Sequence, residues 1–372
     1  MRAWLSFIHA IRGGVPAGAV GLSLLLAGCS HMADERIIHS PQWHEGRFEN
    51  PPGWPKRLGV AAVLKWQLTP GRPKRPDDYR PPFVMNDGKA LRDNHGGVSI
   101  TWIGHATALI QGGGVSLLTD PIFSDRISGF VRRFAPPGVQ EKLLPPIDVV
   151  VISHNHRDHL DEPSIEALGP AVTYVVPLGL GTWFKQRGYP NVIELDWWEA
   201  TEVVGRSGGH AIITLVPAQH WTRRGITDED KSLWGGYVMD LGGKRFYFAG
   251  DTGYPAAFKE IGHRFPDLDY ALIPIGAYEP RWFMCSQHIS PEEAAKVFRE
   301  VGAKHLVPVH WGTFHLSDEP MAEPPELLRK ALGRDVDHLL QLSIGESYFE
   351  PAPPEPAPPS DATPDEAEHP DE

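Results

Sequence analysis

Ile147-Asp148-Val149-Val150-Val151-Ile152-Ser153-His154-Asn155-His156-Arg157-Asp158-His159 is an apolar, β-branched run that breaks off into three histidines and an aspartate within six residues. Short continuous runs of this kind read as buried strands. A strand end that turns into a loop can send alternate side chains into one space, which is what a metal centre requires. A single histidine there would carry little weight, but four donors in six positions are hard to explain as a solvated loop.

Further along the chain, three more potential ligands each follow an apolar strand. His220 comes after the run 212–216, Asp251 after Phe246-Tyr247-Phe248-Ala249-Gly250, and His310 after Leu306-Val307-Pro308-Val309. Taken singly, each would more often be structural. Together they fit a pair of sheets with the chemistry gathered at one edge.

The remaining pattern agrees with that arrangement. Short runs separated by Gly, Pro and Asp at 98–110, 115–119, 148–153, 172–176, 192–195, 211–216, 236–241, 244–249, 270–275 and 305–309 predict strands. Ser290-Pro291-Glu292-Glu293 supplies an N-cap, a proline at the first helical position and a capping-box glutamate ahead of an amphipathic helix. Weaker helix signals lie at 163–168, 180–188, 255–265 and 325–332. Many strands with interspersed helices in one body predict an α+β class, specifically an αββα sandwich. The expected organisation is a signal segment at 1–28, a tether at 29–43 and one domain at 44–349, whose residues 44–97 form a wrapping arm. A disordered acidic, proline-rich tail at 350–372 completes it.

The net charge of −12 is concentrated at the C-terminus, because residues 350–372 hold eight acidic residues and no Lys or Arg. Removing those eight charges leaves −4, so the body has no cationic surplus with which to hold a polyanion, and nucleic acid is not an expected partner. At the N-terminus, Arg2 and Arg12, an apolar stretch at 15–26 and Leu26-Ala27-Gly28-Cys29 follow the order of a bacterial lipoprotein signal. The stretch is too short for a permanent membrane span. Cleavage before Cys29 and lipidation of its thiol would leave an exported, lipid-anchored protein. In a Gram-negative cell, Ser30 would direct it to the outer membrane, facing the periplasm. Cys285, the second of two cysteines, is then without an intrachain partner.

The chain resembles the metallo-β-lactamase superfamily and, within it, the N-acylphosphatidylethanolamine phospholipase D-like hydrolases. The similar stretches run from about Trp43 to Tyr348. They include Ile103-Gly104-His105-Ala106-Thr107, Leu118-Thr119-Asp120-Pro121-Ile122-Phe123, Glu194-Leu195-Asp196-Trp197-Trp198 and Trp311-Gly312-Thr313-Phe314. The most specific is Ile275-Gly276-Ala277-Tyr278-Glu279-Pro280-Arg281-Trp282-Phe283-Met284. The resemblance implies two Zn²⁺ ions, with His154, His156 and His220 on one, Asp158, His159 and His310 on the other, and Asp251 bridging. With a hydroxide, that set carries about +1, suited to a phosphodiester.

It also implies catalytic roles for Asp251, for His288 and for Asp120 as the support of a ligand imidazole, with Gln287, His288 and Arg157 meeting the substrate. Arg157 departs from the family, which carries a tyrosine there. For His105, a satisfied core histidine and a support for a ligand remain open alternatives. The expected activity is phosphodiester hydrolysis in a phospholipid, releasing an N-acylethanolamine-like alcohol and phosphatidate. The partners are a phospholipid substrate and, through the lipid anchor, a membrane; an oligomer is compatible with the sequence. The competing functions are a lactonase or β-lactamase and a non-catalytic envelope scaffold. The scaffold would be marked by missing ligands, and none of the seven is missing.

Overall fold

The computed structural model describes residues 35–351. The expected signal segment, Cys29 with the first residues of the expected tether, and the expected tail from 352 onward lie outside the described residues. The two sheets are built from thirteen strands, introduced here in chain order. They are β1 Ser99–Gly104, β2 Thr107–Gly112, β3 Val115–Thr119, β4 Val149–Val151, β5 Thr173–Pro177, β6 Val192–Leu195, β7 Ala200–Val204, β8 His210–Val216, β9 Gly236–Leu241, β10 Lys244–Phe248, β11 Tyr270–Pro274, β12 His305–Val309 and β13 Ser347–Phe349. One sheet has the order β6-β5-β4-β3-β2-β1-β13 and the other β7-β8-β9-β10-β11-β12. Each sheet joins an antiparallel meander to a parallel part, at β3–β4 in the first and β10–β11 in the second.

The quoted run shows why the sheets stack. Val149 and Val151 pack into the core between the sheets with Ile213, Leu215, Tyr237 and Met239. Val150 and Ile152 face the other way, into a second core with Leu160, Ile165, Tyr174 and Phe184. A strand with period-two alternation and both faces covered must be apolar throughout. The covering helices are α3 Glu162–Leu168 and α4 Gly181–Lys185 on the first sheet. On the second sheet, α7 Pro291–Val301 packs against β11 and lies between α5 Ala257–Arg264 and α8 Glu323–Leu332. The capping box of α7 is formed in full, with Ser290 Oγ accepting from the Glu293 amide and the Glu293 carboxylate accepting from the Ser290 amide.

Three local expectations change. The stretch 98–110 is two strands, and His105 sits at the corner between them with a left-handed φ of 56°. The tether contains a short helix, α1 Glu35–His39, docked where Arg36 donates to the Glu194 carbonyl and pairs with Glu199. The arm carries a helix, α2 Val60–Leu68, on which Trp66 is the one buried residue. Gly and Pro around α2 obscure its short apolar face in the sequence. Strands β7 and β13 are missed for a similar reason: each is brief and half-exposed, and owes its form to pairing with β8 and β1.

Candidate metal centre

Three loops that follow strands of the first sheet or join its first two supply part of the site, and three loops after strands of the second sheet supply the rest. Past β4, the chain turns at Ser153 and delivers His154, His156, Asp158 and His159. His220 follows β8, Asp251 follows β10, and His310 directly follows β12. His154 Nε2 and His156 Nδ1 lie 2.8 Å apart, and His220 Nε2 is 3.2 Å from His156 Nδ1. Asp158, His159 and His310 form a second group together with His105, with Asp158 Oδ2 at 3.4 Å from His159 Nε2 and 3.7 Å from His310 Nε2. Asp251 lies between the two. Its Oδ1 is 3.1 Å from His310 Nε2, and its Oδ2 is 3.1 Å from His159 Nε2 and 3.9 Å from both His154 Nε2 and His220 Nε2.

The chemistry of these atoms is that of a cation site. His159 Nε2, His310 Nε2 and Asp251 Oδ1, which face one another across the cluster, are buried without a hydrogen-bond partner, an expensive state unless something else satisfies them. Burial keeps His154 far below the usual imidazole range and sets His156 at about 4 and His220 at about 3. All three are therefore neutral lone-pair donors at pH 7. Burial also opposes charge on His159 and His310, but Asp251 and Asp158 overcome it, lifting His159 well above its usual value and His310 to about 9. The carboxylates thus draw positive charge to the middle of the cluster, where divalent ions would replace those protons.

Around the ligands stands a set of supports. Asp120, fully buried, accepts from the Ser153 amide at 2.7 Å and its hydroxyl at 2.5 Å, and its Oδ2 is 2.7 Å from His159 Nδ1. It is sealed from the cleft, so its contacts are with His159 and Ser153 and not with substrate. His105 Nε2 lies 3.0 Å from Asp158 Oδ2, close enough to support that carboxylate, and its ring stands in the same donor group as His159 and His310. His220 Nδ1 lies 3.0 Å from the Gln287 carbonyl, so it is the main chain of Gln287 that holds a ligand. Asp120, His105 and His310 all have left-handed φ, at 34°, 56° and 61°. Such backbone costs about 1–3 kcal/mol per residue and persists where the surroundings enforce it.

The cluster opens into a cleft of about 560 Å³. His156, Asp158, Asp251 and His310 form its floor, with Gln287 and His288 beside them; His288 Nδ1 is 3.9 Å from Asp251 Oδ2. The wall is apolar, made of Leu58, Val60, Val63 and Trp66 of the arm together with Phe283 and Met284. The last two lie on α6 Arg281–Met284, inside the 275–284 motif. Trp221 and Arg57 meet at the rim, the guanidinium carbon 3.9 Å from the ring centre. None of these arm residues is marked as functional by the sequence; adjacency to His220 was the available signal for Trp221. Arg157 is not brought to the cleft. With His156 and Asp158 turned inward, its side chain leaves on the opposite side, where Nη2 donates to the Arg224 carbonyl at 2.9 Å.

Comparison with known proteins places this geometry among hydrolases. A family described as "Beta-lactamase superfamily domain" matches residues 116–311. An N-acyl-phosphatidylethanolamine-hydrolyzing phospholipase D of Caenorhabditis elegans is 38% identical over 327 residues, covering 82% of this chain and 91% of that protein. A mitochondrial N-acyl-phosphatidylethanolamine-hydrolyzing phospholipase D of Saccharomyces cerevisiae is 36% identical over 64% of this chain and 53% of its own length. The solved structure of a metallo hydrolase from the archaeon Ignicoccus hospitalis shares the fold. Its TM-score is 0.53 at 22% identity, covering 69% of this chain and 99% of that one.

Proposed function

The chain belongs to the metallo-β-lactamase superfamily and is a metal-dependent hydrolase, and from that premise we propose that it is a two-zinc phosphodiesterase of phospholipase D type. Its substrate on this reading is N-acylphosphatidylethanolamine or a phospholipid of the same build. The observation that carries the reading is the shape of the cleft, an apolar wall from Leu58, Val60, Val63, Phe283 and Met284 leading down to a floor of metal-binding donors. Acyl chains suit such a wall, and a phosphate suits such a floor. The similarity to phospholipases that hydrolyse N-acylphosphatidylethanolamine in two eukaryotes supports the same substrate class.

Two zinc ions, when held by the seven ligands, supply Lewis acidity that offsets phosphate charge and makes water nucleophilic near neutral pH. The protein's own groups do the rest. Asp251 reaches both halves of the cluster, and Asp120 and His105 fix the ligands His159 and Asp158. Burial draws the pKa of His288 down to about 3, so at pH 7 it meets substrate as a neutral imidazole, able to donate one N–H to a phosphate or departing alkoxide oxygen. Water adds to phosphorus, the bond from phosphorus to the head-group oxygen breaks, and that oxygen leaves with a proton as N-acylethanolamine, with phosphatidate as the other product.

Lipidation of Cys29 and export to an outer membrane, both outside the described residues, would place this cleft beside its substrate. No helix among the described residues is long and apolar enough to cross a membrane. The test is to incubate the zinc-loaded protein with N-acylphosphatidylethanolamine and identify the products by mass. N-acylethanolamine with phosphatidate is expected. Hydrolysis of lactones or β-lactams with every phospholipid left intact would replace the proposal.

A further inference from the structure

Arg157, turned away from the metals, lines a second pocket of about 190 Å³ that shares no residue with the cleft. Arg126 and Arg224 line it too. Arg224 is fixed in place: its Nη1 donates to the Asn155 carbonyl at 3.1 Å and the Leu160 carbonyl at 2.6 Å. Arg157 is tied to it through the Arg224 carbonyl. The acidic residues on the pocket wall are already engaged. Asp161 accepts from the hydroxyls of Ser124 and Ser164 at 2.6 and 2.5 Å, and Glu162 pairs with Arg187 at 2.6 Å. Among the described residues, therefore, Arg126, Arg157 and Arg224 surround one concavity and none of the three forms an ion pair with a carboxylate.

Like charge is gathered here and is offset only in part by Asp161 and Glu162. Burial, with the Arg157 charge second to it, pulls the pKa of Arg224 down to about 10. An anion seated among the three would remove that repulsion, and guanidinium groups match phosphate oxygens in geometry as well as charge. Two apolar side chains protrude beside the pocket. Phe130 follows Gly129 of the pocket wall and is 76% exposed; Ile226, two residues beyond Arg224, is 87% exposed. Large side chains so exposed, next to a basic pocket, suit a surface where phosphate heads lie at the level of the guanidiniums and hydrocarbon lies beyond.

We propose that this pocket is a phosphate-binding site separate from the metal cleft, with Arg126 and Arg157 as its charged contacts. The phosphate belongs to an anionic phospholipid head group or to a soluble phosphate monoester. Activity is not needed for the site to exist, so the test reads binding. Full-length, zinc-loaded protein with Cys29→Ser, which removes the acyl anchor, is titrated with glycerol 3-phosphate in a calorimeter. It is also sedimented with vesicles of phosphatidylcholine alone or mixed with phosphatidylglycerol.

Arg126→Gln and Arg157→Gln are made on the exposed surface, with melting temperature as the check on folding and Lys330→Gln as a charge control on α8. Each arginine removed is expected to weaken binding of the anionic probe by about fivefold, on the order of one surface charge, with no effect from the control. Glycerol 3-phosphate held at the metals alone would not respond to these substitutions. If the vesicles are the partner, Phe130→Ser lowers their binding and leaves glycerol 3-phosphate unaffected. If only glycerol 3-phosphate responds to the arginines, the ligand is soluble and the site stands. Binding of both probes that is unchanged in the double variant, or reduced equally by Lys330→Gln, would overturn the proposal.

Discussion

Replacing Asp120 by alanine removes the acceptor that orients His159 and two acceptors for Ser153, while leaving all seven ligands in the chain. Loss of such a support commonly weakens metal affinity by about 10–100-fold. Competition against a chelator should show that loss, and an affinity equal to the parent's would show that His159 orients itself. His288 calls for a different signature. His288→Ala should keep the parent's metal content and lose roughly 100-fold in turnover if its N–H meets charge forming in the transition state. A variant with full metal and full turnover would remove His288 from the reaction. The ligand types were legible at this scale because His and Asp at strand ends are chemically conspicuous. Arg157 was misplaced, since alternation along the loop sends it outward once His156 and Asp158 turn in, and the sequence does not say which of the three points which way. His105 stayed ambiguous for the same reason: its corner position depends on how β1 and β2 pair.

At the scale of elements, close backbone approaches matter as much as side chains. A Cβ on Gly276 would lie 2.2 Å from the His310 carbonyl oxygen. No rotamer can relieve a clash between main chains, so Gly276→Ala should displace the end of β12. Elemental analysis should then find less than the parent's metal content, with the deficit traceable to the Asp158, His159 and His310 half. Substituting Ser290 by alanine breaks the capping box of α7 and should cost about 1 kcal/mol in denaturant unfolding; no shift in midpoint would mean that packing alone fixes the helix start. The buried strands and α7 were readable because apolar runs and capping residues act locally. Helix α2 was not. Its position depends on Trp66, whose indole N–H donates to Asp318 at 2.7 Å across 252 residues, and on Arg72, which pairs with the same carboxylate.

For the whole molecule, the buried histidines set the response to pH. Without metal, His105, His220 and His288 titrate at about 3 and His156 at about 4, all drawn down by burial. Their unfolded value is near 6.5, so below that pH the unfolded chain binds more protons and stability falls as the pH drops. His310 has the opposite sign: its pKa of about 9 gives stability that is complete below 6.5 and lost as pH rises through 9. The melting temperature of the metal-stripped protein should therefore peak near neutrality and decline on both sides, and a profile flat from pH 5 to 9 would contradict the neutral, buried imidazoles. The α+β sandwich was legible in the sequence, because its buried strands announce themselves as apolar runs, whereas the half-exposed β7 and β13 do not. The cleft wall was not, since it forms only when the arm, α6 and the loop after β8 come together.

The donors span residues 154 to 310, with the last of them beyond β12, which pairs with β11, itself paired with β10. A chain emerging from the ribosome thus has no complete centre until His310 and the strand before it have been made, and the first four donors alone offer a loose, half-formed chelate. The complete donor set therefore exists only when the far edge of the second sheet is in place.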